Sequence, residues 1–411
     1  MSNGYRVSDK VSALMKKGVR IPTPCSVEIG EEIAIERISG RGVILHSGTK
    51  LFGDKTLICD DVELGYEAPV TVTDCQLGRG VKLKGGFFQG SVLLDGVQMA
   101  SSAHVREGCI LEEEVRAGHT VGLKQTILFP FVTLGSLINF CDCFMSGGTD
   151  NKNHSEVGSS YIHFNYTPNQ DKATPSLIGD VPTGVMLNQP PIFLGGQGGL
   201  VGPVRIGHGT VIAAGTIYRK DCPEGGRLLA GGNGTAVEKD FDREFYGDVY
   251  RKVRNNILYI AHLTALKQWY LNVRNPFFHA GEFGQELSEG ALEKLDMAIR
   301  ERLRRLQEFL EKIGLSAQTR PNIVSLSEAL WHRWPQIEIC LTEGPEEIAA
   351  PEKRDRFLDA LHSQGSMKEG YIQAIRSLEE NARAAGTAWL QAVIDGIVRR
   401  ALDAAPLLRE E

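Results

Sequence analysis

The chain has 411 residues, with 45 Lys+Arg against 51 Asp+Glu and a formal net charge of −6. That length admits two or three domains, and the acidic balance gives no case for a nucleic-acid binder, although a local basic pocket for a phosphorylated metabolite is compatible with it. No apolar run approaches the ~20 residues of a membrane span, and none at the N-terminus resembles a signal peptide. The expectation is a cytoplasmic protein with no membrane partner, whose eight scattered Cys are reduced thiols.

Taken in chain order, residues 1–17 read as an N-terminal helix and linker. From 18 to 239 a six-residue period recurs. It is clearest at Leu194-Gly-Gly-Gln-Gly-Gly, Leu200-Val-Gly-Pro-Val-Arg, Ile206-Gly-His-Gly-Thr-Val and Ile212-Ala-Ala-Gly-Thr-Ile. An aliphatic residue opens each hexad and a small residue often follows. That pattern suits a triangular coil of short strands with tight corners, in which three hexads close one turn of about 18 residues and stacked turns bury the aliphatics. An ordinary β-sandwich is the rival, disfavoured by four hexads in phase. The phase returns upstream at Leu64-Gly65 with Val70, Leu77-Gly78 with Leu83, and Val121-Gly122 with Ile127, then at Val157-Gly158 and Ile178-Gly179. Loops are expected to leave the coil at 143–156 and 166–177.

From 240 to 411 the texture is helical. Leu292, Leu295, Ile299, Leu303, Leu306, Leu310 and Ile313 share one helix face, with Ser288 as a start signal and Gly314 as a stop. Segments 244–273, 324–342 and 367–403 are expected to be helical as well. This region is expected to pack on the end of the coil or to build an oligomer, with a substrate lid as the sharper alternative.

Several segments resemble the acetyltransferase half of the bifunctional glucosamine-1-phosphate acetyltransferase/N-acetylglucosamine-1-phosphate uridyltransferases. These are Gly18-Val-Arg-Ile-Pro22, Leu51–Ile58 with Val62-Glu-Leu-Gly65, His163-Phe-Asn-Tyr166 leading to Lys172 and Ile178-Gly-Asp180, and Val201–Thr216. The likeness covers roughly residues 15–240. It implies a left-handed parallel β-helix, a homotrimer with pockets between neighbouring helices, and acetyl-CoA as co-substrate. The family's nucleotidyltransferase domain is expected to be absent, since only about 17 residues precede the match. Leu229-Ala-Gly-Gly-Asn-Gly-Thr235 resembles that domain's phosphate loop only superficially, because no βαβ unit surrounds it. The string from Pro223 to Val237 resembles the exit turn of hexapeptide transferases.

Acetyl transfer to an amine requires a base, oxyanion donors and cationic anchors for a phosphate. The resemblance places Arg106 and Lys124 on the sugar phosphate; they lie about one coil apart. It puts Ser136, not His, at the catalytic position, so His119 in Ala117-Gly-His119 and His154 stand as alternative bases. It assigns Asn165 and Tyr166 to substrate and acetyl-CoA, the Ser159 backbone N–H to the thioester carbonyl, and Lys172 and Ala213 to the cofactor groove. Segment 182–197 is additional to the family pattern and is expected to reshape or block that groove. Cys141 and Cys143, on one strand face, are a weak zinc option, and no metal is expected. The function implied is an acetyl-CoA-dependent N-acetyltransferase acting on an amino sugar phosphate or nucleotide-linked amino sugar. The rival is an inactive sugar-nucleotide-binding or scaffolding protein, with a UDP-N-acetylglucosamine pyrophosphorylase as a third reading.

Overall fold

The computed structural model describes residues 7–165, 167, 169, 171–231, 238, 246–279, 281–319, 330–342, 350–364 and 367–409. Residues 9–229 hold a short first helix, α1 (Asp9–Lys17), and a parallel β-solenoid with three flat faces. Face one runs through Lys50–Phe52, Val70–Thr73, Gly86–Gln89, Ala103–Val105, Tyr161–Phe164 and Gly199–Val201. Face two includes Leu57–Ile58, Gln76–Leu77, Val92–Leu93, Ile110–Leu111 and Ser176–Ile178. Face three is a separate ten-stranded sheet from Ile44–Leu45 to Leu228–Leu229. Two longer strands, Gly122–Leu128 and Ile138–Met145, bend round the corner from face one to face two, and so unite those faces in one 16-stranded sheet.

The hexads divide among the faces. Leu194 and Ile212 are register partners on face three, Leu200 lies on face one and Ile206 on face two, and all four are buried. One upstream assignment shifts by a residue: Leu128 points into the solenoid, while Ile127 points out of face two. The bend inside Gly122–Leu128 at Gln125, which has φ 48°, resets the alternation. The same effect at Asp142, with φ 60°, separates Cys141 from Cys143. Cys143 faces the interior, whereas Cys141 lies beside Arg106, so the two thiols flank a corner instead of sharing a strand face.

The outer side of face two is apolar as well. Leu57, Val92, Ile110, Ile127, Phe144 and Leu177 form one cluster with the helical region. Strands buried on both faces need a cover, and here the helices supply it along the solenoid's flank. After α2 (Val181–Gly184) within the solenoid come α3 (Val249–Trp269), α4 (Asn275–Phe278), the 36-residue α5 (Gly284–Thr319), α6 (Trp334–Thr342), α7 (Pro351–Gln364), α8 (Tyr371–Arg376) and α9 (Glu380–Ala404). A π-helical turn, Tyr270–Arg274, joins α3 to α4. Helix α5 overruns both expected signals: Ser288 lies inside it, bonded to Asn275 at 2.9 Å, and the helix passes through Gly314. Within 324–342 the helix described is α6, and residues 324–329 lie outside the described residues.

A buried ionic clamp fastens the helical region to the solenoid. Arg274, on the π-turn, pairs with Glu112 and Glu113 of the solenoid and stacks on the Tyr371 ring at 3.9 Å. The Tyr270 hydroxyl donates to Glu112 at 2.6 Å. Burial pushes the Glu112 carboxyl up, and the Arg274 guanidinium pulls it back toward the charged form.

Candidate functional site

The corner leading from face three into face one is built from small residues. Successive coils pass through Ala117-Gly-His-Thr120, Gly135-Ser-Leu137, Gly158-Ser-Ser160, Gly195-Gly-Gln197 and Ala213-Ala-Gly215. The coils touch here: a Cβ on Gly118 would lie 2.6 Å from Ser136 Oγ, and one on Gly195 would lie 2.3 Å from the Ala214 nitrogen. Backbone bonds from Leu137 to His119, from Ser160 to Ser136 and from Gln197 to Ser159 lock the corners into a column. Thr120, Leu137, Ser160 and Gln197 all take positive φ. For Leu137 that conformation is costly, and its side chain is exposed.

This stacking brings together residues that linear reasoning kept apart. His119 Nδ1 lies 2.8 Å from Ser136 Oγ, and the Ser136 N–H donates to Ser159 Oγ at 3.1 Å. The imidazole is exposed, and the Ser136 hydroxyl holds its Nδ1, leaving Nε2 on the solvent side of that contact.

At the far end of face one, His104 pairs with Gly122, Val105 with Leu123 and Lys124 with Cys141. Arg106, Lys124 and Cys141 therefore occupy one position on three successive coils. Arg106 reaches Cys141 Sγ at 3.7 Å, and Lys124 pairs with Glu107 at 2.7 Å. The Lys124 contact pulls the Glu107 carboxyl below its ordinary range. The five residue steps from His119 to Lys124 span at most about 16 Å, shortened by the turn at Thr120. Gly122 leaves that stretch open, with exposed His104 on the coil before it and exposed Asn139 on the coil after it. Face one is thus a shelf with an imidazole–hydroxyl pair at one end and two cations at the other.

Other predicted residues fall elsewhere. His154 precedes face three; its Nδ1 meets the Asn151 carbonyl at 3.0 Å and its Nε2 lies 3.7 Å from Glu156. These contacts join it to neither Ser159 nor His119. Asn165 donates to Asp142 at 3.3 Å, and the Lys172 carbonyl accepts from Arg302 of α5 at 3.3 Å. Ala213 lies in the last corner of the column, its N–H bonded to the Leu229 carbonyl. Tyr166 and the Gly-rich residues 232–237 lie outside the described residues. Segment 182–197 begins by docking the helices: Val185, Met186 and Leu187 join their core, and Pro182 accepts from Thr387 of α9. Among the described residues no group of three or more His, Cys, Asp or Glu is placed to hold a metal ion.

No protein-family profile matches the chain. Curated relatives do. The bifunctional protein GlmU of Thermotoga petrophila is 28% identical over 215 residues, covering 52% of this chain and 42% of the relative. The Nocardia farcinica GlmU is 27% identical over 224 residues, covering 54% of this chain and 40% of its own. A Geobacillus GlmU is 26% identical over 229 residues, with 56% and 44% covered. The chain is a distant homologue of GlmU. Its solenoid is a hexapeptide β-helix of the acyltransferase-like kind, and the matches span about two fifths of the relatives' length.

A cavity of about 900 Å³ that no sequence motif announces lies between the solenoid and helices α4 and α8. Asp95, Glu113 and Arg116 line one wall, and Phe277, Phe283 and Tyr371 the other. Asp95 is open to the cavity yet walled in by the fold. Burial, and then the Glu113 charge, push its pKa up to about 6. The available signal was the doublet of apolar residues on several face-two strands, among them Leu57-Ile58, Val92-Leu93 and Ile110-Leu111, which marks a covered face.

Proposed function

We propose that the chain is an acetyl-CoA-dependent N-acetyltransferase whose acceptor is an amino sugar phosphate or a nucleotide-linked amino sugar. The observation that carries this reading is the shelf of face one, with the His119–Ser136 pair at one end and Arg106 with Lys124 at the other. Its span, at most about 16 Å, is of the order of a hexose phosphate. Arg106 and Lys124 hold the phosphate. His119 Nε2 takes a proton from the acceptor's ammonium group, and the freed amine attacks the thioester carbonyl. The tetrahedral oxyanion then collapses, breaking the C–S bond, and the nitrogen's second proton passes to the departing CoA sulfur, leaving the neutral amide and the CoA thiol. The Ser159 N–H, which has no acceptor among the described residues, is the proposed oxyanion donor. The reading takes residues 18–239 as the transferase unit, 1–17 as an N-terminal helix and linker and 240–411 as a helical domain, with three copies assembling.

A second reading, a sugar-nucleotide-binding scaffold without chemistry, is favoured by one observation. Asn165 and the Lys172 backbone are engaged in contacts that run through Asp142 and Arg302 to α5. One experiment separates the two. Purified protein is incubated with acetyl-CoA and a panel including glucosamine-1-phosphate and UDP-linked amino sugars, and products are weighed by mass spectrometry. A product heavier by one acetyl group establishes the transferase and names the acceptor. No product from a folded protein establishes the scaffold.

A further inference from the structure

We infer that helix α5 completes a phosphate-binding site at the cationic end of the shelf, with Arg300 as a direct anchor. A cavity of about 370 Å³ lies where the corner residues Glu107, Lys124 and Gln125 face α5. The helix contributes Met297, Arg300, Glu301, Arg304 and Arg305. Those positions recur at three- and four-residue steps, so one face of the helix is presented to the corner.

The charges are unequal. Lys124, Arg300, Arg304 and Arg305 stand against the lining carboxylates Glu107 and Glu301 and, just beyond them, Glu308, four cations to three carboxylates. Lys124 is paired with Glu107, and Arg304 and Arg305 are both paired with Glu301 and Glu308. Arg300 is exposed and makes no ion pair among the described residues. It is therefore the cation in excess, set over the cavity opposite Lys124. A second arginine two positions on, Arg302, is buried and bonded to the solenoid's Asp142 at 2.7 Å, which fixes the rotation of the helix and keeps Arg300 in place. A planar guanidinium and an ammonium facing one another across a small cavity suit a phosphoryl group, which takes donors from both. The proposal deepens the transferase reading and rests on its placing Lys124 toward the ligand, but it needs no chemistry to occur.

The test is calorimetric titration of the full chain with glucosamine-1-phosphate, pyrophosphate and inorganic phosphate. It compares wild type with Arg300→Ala, Arg300→Lys, Lys124→Ala and a remote control, Arg356→Ala. Arg300→Ala is expected to weaken glucosamine-1-phosphate binding about tenfold and to flatten its salt dependence, with partial recovery in Arg300→Lys and no change in the control. A preference for pyrophosphate over the monophosphates, lost in Arg300→Ala, would assign the site to a diphosphate-bearing ligand. Weakening by Lys124→Ala with none by Arg300→Ala overturns the inference and leaves the transferase reading standing. Weakening by both in a protein that acetylates nothing sustains the inference and removes the transferase. Failure of the wild type to bind any of the three anions overturns it outright.

Discussion

Arg302, in the middle of α5, donates to Asp142 at the bend of a solenoid strand over 2.7 Å, and both side chains are almost fully buried. The other Asp142 oxygen accepts from Asn165, and Arg302 also holds the Lys172 carbonyl. One ion pair thus ties the helical region to the loop that follows face one. Removing one partner strands a buried charge. Arg302→Met is expected to cost about 3–5 kcal/mol, whereas Arg302→Met with Asp142→Asn should be markedly milder. Urea unfolding of both variants checks this. Equal losses would mean that the pair contributes packing alone.

The His119–Ser136 pair makes a kinetic prediction. His119→Ala should lower kcat about 10²–10⁴-fold while leaving the melting temperature near wild type, because the ring is exposed. Ser136→Ala should cost less, since it frees Nδ1 without removing Nε2. His154→Ala should leave turnover unchanged, as its bonds run to Asn151 and Glu156. A pH–rate profile adds a second readout, because the acidic limb should disappear in His119→Ala. A larger loss in His154→Ala than in His119→Ala would reverse the assignment.

The solenoid was legible because its signal is local. Leu194, Leu200, Ile206 and Ile212 each fill an inward position, and the glycines that follow two of them, Gly195 and Gly207, sit where the next coil presses on the backbone. The covered flank was equally written in the doublets Leu57-Ile58, Val92-Leu93 and Ile110-Leu111, where both residues are buried. Period-six reading counts one residue of each doublet and passes over the other. The candidate site was only partly legible. Arg106 and Lys124 follow from the length of one coil, but the contact of His119 with Ser136 arises from corner stacking and from no pattern along the chain. The Asp142–Arg302 bond joins positions 160 apart, and no local rule announces it.

Asp95 offers a pH test. Its pKa is raised to about 6 from an ordinary value near 4, so the folded state takes up a proton that the unfolded state still lacks. Its contribution to stability is full below the unfolded value and is lost as pH rises through about 6. Asp95→Asn keeps the oxygen that accepts from the Arg79 N–H. The variant should therefore melt higher than wild type at pH 8, and the gap should close as pH falls from 7 to 4. A gap that does not vary with pH would show that Asp95 is not the titrating group.

Gly195 tests the corner column itself. A Cβ there would meet the Ala214 nitrogen at 2.3 Å, the Ala213 carbonyl carbon at 2.6 Å and the Ile212 oxygen at 2.6 Å, all of them backbone atoms. Nothing at that contact can rotate aside, so Gly195→Ala must push apart neighbouring coils that are joined by the bond from Gly195 N–H to the Ile212 carbonyl. The expected loss is about 1–3 kcal/mol. Gly314→Ala is the contrasting case, because it lies within α5 with no atom near the added methyl. It should gain up to about 1 kcal/mol of helix propensity. Thermal unfolding of the two variants should move in opposite directions. A Gly195→Ala protein as stable as wild type would mean that the coils are not stacked as closely as described.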